Sequence, residues 1–237
     1  MTTEEAVIPQ PTEPTPDPKP PKRTRSPQDL IIINRVNELV TRLTAAKTNA
    51  NVLTPLAARG YDAPGLDEGL ATGKAALAAI NAMDAAIDDR RTAASAVRQA
   101  EKAARAGFDA FRQISKGIFK DDPDAKAAVK AVGRIPADQQ LFLSYADSAY
   151  ETAGKRQYLS QLSKRGYDAA GLQAERAKLT ALQDAIAAFR AADDAKKNAT
   201  RQRNAAVKNM DRWWTEFKAV AAVCLQDQPQ WKSELGL

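Results

Sequence analysis

Histidine is absent from this chain of 237 residues, and cysteine occurs once, at Cys224. The first absence removes the commonest general base and the commonest metal ligand together. Di-iron bundles built on Glu-x-x-His pairs and haem bundles built on an axial histidine are excluded as ordinary cases. The second rules out an intrachain disulfide and any cysteine-cluster metal site, and one thiol suits a reducing compartment. No cofactor is expected. Valine and isoleucine are sparse outside residues 30–40, and no segment alternates with period two, so strands are not expected. There is no Gly-rich phosphate loop, no Gly-x-Ser-x-Gly elbow and no Rossmann fingerprint. The apolar run at residues 30–33 is far too short to cross a bilayer. The opening Met-Thr-Thr-Glu-Glu-Ala lacks the basic and apolar regions of a signal peptide. The expectation is a cytoplasmic protein with no membrane span.

Alanine is what the chain has instead. It supplies 48 residues, while aromatics make up only 6%. Alanine is the best helix former and has little side chain to bury, so long helices packed closely over a thin core are favoured. The net charge of +6 permits weak attraction to anions. With 27% of residues charged, most of that charge belongs to solvated helix faces.

The chain also repeats itself. Arg59-Gly60-Tyr61-Asp62-Ala63-Pro64-Gly65-Leu66 returns 106 positions later as Arg165-Gly166-Tyr167-Asp168-Ala169-Ala170-Gly171-Leu172. At the same offset Ile80 meets Ile186, Asp88 meets Asp194, Lys102 meets Lys208, Phe111 meets Phe217 and Pro123 meets Pro229. A fixed period without gaps marks a repeated supersecondary unit. Three segments follow: a proline-rich tail over 1–26, expected to be disordered, and helical hairpin repeats over 27–132 and 133–237.

In the tail, prolines crowd from Pro9 to Pro21 and resist helix and sheet alike. Its end is basic, and Lys19, Lys22, Arg23 and Arg25 are candidate anion contacts. Ser26-Pro27 should open a first helix that continues to Arg59, with Pro55 as a kink. The repeated octet is a helix-hairpin turn. Gly60 and Gly166 can take the left-handed conformation, Asp62 and Asp168 can cap the next helix, and Tyr61 and Tyr167 precede the caps as staple residues. From Leu66 a helix pattern runs to about Phe119, and its twin runs from Leu172 to about Leu225. A short helix near 124–132 and a third long helix over 137–164 complete the sequence of elements.

Each short arm covers only half of its long partner, leaving Phe108, Phe111, Trp214 and Phe217 uncovered. Burial then favours setting the long helices antiparallel, so that each exposed half meets the other copy's short arm. The expected fold is all-α, an elongated bundle of two tandem hairpins with pseudo-twofold symmetry. The alternative breaks each long helix near 88–92 and 194–198, giving two three-helix bundles.

One polar layer interrupts the apolar stripe of the second long helix, with Asp193 and Lys197 facing Arg91 of the first. Such a layer can mark a ligand site or set register, or it can simply be solvated. Adjacent Trp213 and Trp214 cannot, on helix geometry, both face one core. No arrangement of side chains points to catalysis. The leading expectation is a non-enzymatic scaffold or interaction protein, with a protein partner or a homo-oligomer. The alternatives are a basic nucleic-acid-associated protein and a small-ligand-binding bundle.

Overall fold

A computed structural model describes residue 25 and residues 27–236, and every regular element among them is helical. In chain order these are α1 (Pro27–Thr48), α2 (Ala50–Ala57), α3 (Ala63–Ile118), α4 (Pro123–Ala128), α5 (Gln139–Ala153), α6 (Arg156–Leu162), α7 (Ala169–Cys224) and α8 (Pro229–Leu235), with a single 3-10 turn at Ser163–Arg165. No helix of the described residues is long and apolar enough to cross a membrane. The tail over 1–24 lies outside the described residues.

α3 and α7 each run 56 residues without interruption, about 84 Å at 1.5 Å per residue. The breaks considered near 88–92 and 194–198 do not occur, and two three-helix bundles are therefore excluded. Nothing in either stretch forces a break, because alanine and long straight side chains dominate and neither contains proline after the first turn. Both helices open alike. Gly60 has φ 87° and Gly166 has φ 85°, the left-handed region. The Asp62 carboxylate accepts from the Gly65 N–H at 2.9 Å, and Asp168 accepts from Gly171 at 2.8 Å.

The short arms depart from the expectation. The helix expected to reach Arg59 ends at Thr48, where Asn49 leaves helical geometry and caps α2 with a bond from the Asn51 N–H. Pro55 lies inside α2 and is not the site of the bend. The helix expected over 137–164 likewise stops at Gly154, and α6 begins after Lys155. Asn49 and Lys155 are 106 positions apart, so both short arms bend at the same place. The helix expected over 124–132 is shorter, ending at Ala128.

Two cores form, one at each end of the long pair. Phe108 and Phe111 of α3 meet Leu172, Leu179 and Leu182 of α7, covered by Phe142 and Tyr150 of α5 and Leu162 of α6. Leu66 and Ala76 of α3 meet Met210, Phe217 and Ala221 of α7, covered by Val36, Leu39 and Leu43 of α1, Leu56 of α2 and Leu235 of α8. The start of each long helix therefore lies beside the end of the other, and the two run antiparallel. Each large side chain buried this way contributes about 1.5–3 kcal/mol. Trp213 and Trp214 both pack on the second core, each with its ring 5.3 Å from Phe217. The expectation that adjacent tryptophans must separate fails because α7 is wedged between two neighbours. Trp213 enters above Gly69 of α3, and Trp214 joins Leu39 of α1 around a small pocket.

Between the cores the bundle thins to a waist. Between Met83 and Ala104 no residue of α3 is buried, and between Leu182 and Met210 only Ala199 of α7 is.

Candidate functional site at the waist

The waist holds the polar layer. The Arg90 guanidinium donates to the Asp193 carboxylate at 2.5 Å and lies over the Phe189 ring, 5.1 Å from its centre. Lys197 pairs with Asp193 at 2.9 Å and with Asp194 at 3.1 Å. The hydrogen bond from Lys197, followed by that from Arg90, holds the Asp193 carboxyl down at about 2. The same bonds raise the Lys197 ammonium above its ordinary value. A carboxylate held ionised between two cations is a poor proton acceptor near neutral pH. Arg91 turns the other way, towards Asp88 at 3.6 Å. The residue reaching Asp193 is thus Arg90, because counting in sevens from Met83 through Arg90 to Val97 follows the inward face of a helix in a long antiparallel pair. Spacing by threes and fours favours its neighbour Arg91 instead.

The tail cations Lys19, Lys22 and Arg23 lie outside the described residues. Arg25 is engaged by the bundle, donating to Asp84 at 2.8 Å and to Asn81 at 2.9 Å. The turn residues are in place as hinges of the hairpins, and the two tyrosines turn towards rings on the opposite long helix. Tyr61 meets Phe217, and Tyr167 meets Phe111, both at 5.3 Å and 76°.

A second polar cluster escaped the sequence reading. Glu175 is enclosed beside Gly107, where a Cβ would overlap its carboxylate, and its Oε1 accepts from Lys178 at 2.7 Å. Burial first, and the Glu175 charge second, push the Tyr150 and Tyr167 hydroxyls upwards, so both stay protonated. The only sequence signal was a glycine in mid-helix.

A groove of about 480 Å³ opens between α5 and α7, floored by Leu143 and Leu179 and spanned by Arg176 donating to Asp147 at 2.8 Å. Gly73 lies 106 positions before Leu179, and α1 closes against it, with Leu39 and Val40 side-chain atoms 3.1 and 3.2 Å from where a Cβ would sit. The leucine holds α5 off. Among the described residues no three His, Cys, Asp or Glu side chains gather as a metal would require. No family model, no curated protein and no solved structure matches the chain.

Proposed function

We propose that the chain is a non-enzymatic helical scaffold: two tandem hairpins, 27–132 and 133–237, folded about a pseudo-twofold axis into one bundle that holds partner proteins or a second copy of itself at a set spacing. The observation that carries this reading is the placement of two compact cores at opposite ends of two unbroken 56-residue helices. Such a rod fixes the separation of its ends far more stiffly than a linker of equal length. The symmetry rests on paired geometry at the 106-residue offset, with Tyr61 on Phe217 matching Tyr167 on Phe111 in distance and angle.

The test is cross-linking in cells. A photo-reactive residue placed in turn at exposed positions along α1, α3 and α7 should give adducts with defined proteins, or with a second copy, from one face of the rod. Light scattering on the purified chain reports self-association. A monomer that yields no adducts from any position and turns over a small-molecule substrate would overturn the scaffold reading.

A further inference from the structure

Every seventh residue along one side of α3 is Asp84, Arg91, Arg98 and Arg105. The matching series on α7 is Arg176, Gln183, Arg190, Lys197, Asn204 and Asp211. The outer members of both series touch the short arms. At one end Arg25, just before α1, bonds Asp84, and Arg35 of α1 pairs with Asp211. At the other, Arg105 donates to the Pro136 and Ala137 carbonyls and lies 4.4 Å over Phe142 of α5, while Arg176 bonds Asp147. Both series therefore lie on the same face of the antiparallel pair, the face that α1 and α5 cover at its two ends.

Among the described residues the middle of that face is covered by neither α1 nor α5. Arg25, ahead of α1, reaches Asp84, and α5 begins at Gln139, which bonds Glu101. Asp84 and Glu101 are 17 positions apart, about 25 Å of α3 that neither α1 nor α5 covers. Four cations, Arg91, Arg98, Arg190 and Lys197, point out of this opening, and all are exposed. Arg91 and Lys197 have aspartates beside them in Asp88, Asp193 and Asp194. Arg98 and Arg190 form no ion pair within the described residues.

We propose that this cationic saddle binds the phosphate backbone of a double-stranded nucleic acid, without reading its sequence. This goes beyond the scaffold reading, which names no partner. Four cations on the floor of one opening match the phosphates of a polyanion carrying one charge per about 1.7 Å of axis. The walls decide against a flat anionic surface. α1 and α5 each stand a helix diameter, about 10 Å, above the floor, and a planar bilayer resting on them is held a Debye length from the cations at 0.1 M salt. Single strands are bound by stacking bases on exposed aromatic rings. Among the described residues the saddle has only Phe189, half-buried beneath Arg90.

The test is fluorescence anisotropy of the full chain with a labelled mixed-sequence DNA duplex, titrated from about 50 mM salt upwards. The expected result is binding whose log–log salt slope is about −3 to −4, from four phosphate contacts. The double variant Arg98→Ala/Arg190→Ala should lower affinity about tenfold or more and reduce the slope by about 2. Circular dichroism and thermal melting should be unchanged, because both side chains are exposed. Lys116→Ala/Lys164→Ala removes the same charge from one end of the rod and should alter affinity less than about twofold. A chain lacking residues 2–24 should keep its dependence on Arg98 and Arg190. The proposal is overturned by no binding at low salt, by a double variant that binds like the unmodified chain, or by equal loss in the Lys116/Lys164 control. Stronger retention by phosphatidylserine vesicles, or by a labelled single strand, than by the duplex overturns it too. None of these results bears on protein cross-linking along the rod, so the scaffold reading stands or falls separately.

Discussion

At Gly69 a methyl group would overlap the Trp213 ring, and at Gly107 it would overlap the Glu175 carboxylate. Gly69 and Glu175 are 106 positions apart, and so are Gly107 and Trp213. One crossing pairs small with large in one order, and the other reverses it. Pairing either repeat with its own twin would set glycine against glycine or tryptophan against glutamate, so the exchange favours the two different copies meeting. Gly69→Ala should cost about 1–3 kcal/mol in urea unfolding through overpacking. Gly117→Ala, on the same helix with open space around it, should instead stabilise by about 1 kcal/mol, since alanine is the better helix residue. Equal effects at the two sites would remove the packing argument. Asp193 has a pH signature. Its carboxyl is lowered in the fold to about 2, against about 3.9 in an unfolded chain. Its stabilising contribution is therefore present above about pH 4 and is lost as pH falls towards 2. Side-chain carboxyl NMR should place its midpoint near 2, and Lys197→Met should move that midpoint upwards.

The hairpin turn is the element most legible in the sequence, because its chemistry is local. A glycine with positive φ, an aspartate cap and a following glycine are needed whatever surrounds them, and both copies supply them. Asp62→Ala and Asp168→Ala should each cost about 0.5–2 kcal/mol in thermal or urea unfolding. Gly166→Ala should cost about 1–2 kcal/mol, since φ 85° is unfavourable for any residue with a Cβ. If the aspartate variants melt like the parent, the caps are not what starts α3 and α7. The bends in the short arms were not legible. Pro55 has the chemistry of a breaker, yet the chain leaves helix at Asn49, and at Lys155 in the other arm. These bends let Leu56 and Leu162 drop into cores that a straight helix would pass by. Tertiary burial overrides local helix propensity there, and only the fold says where.

Across the molecule, the waist and the ends should differ in dynamics. Amides of α3 between Met83 and Ala104 have few buried neighbours, so hydrogen exchange should be faster there than around Phe108 or Ala76, despite one continuous helix. Uniform protection along α3 would count against the two-core description. Spin labels at positions 68 and 215, with Cys224→Ser, should report a separation on the order of one or two interhelical spacings of about 8–10 Å. A value approaching the length of α3 would refute the antiparallel pair. The amino-acid sequence by itself determined the helical class, the turns and the length of the two long helices. Each depends on residues close together in the chain: alanine content, glycine and aspartate at the octet, proline at either stop. Only the tertiary structure decided which arginine meets Asp193, where the short arms bend, and that both tryptophans share one core. It also decided that Arg91, Arg98, Arg190 and Lys197 of the waist are exposed among the described residues. Those outcomes depend on a seven-residue register between helices that start 106 positions apart, and on which side chain finds a glycine opposite it. No local pattern carries that information, because it arises only when α3 and α7 lie against each other.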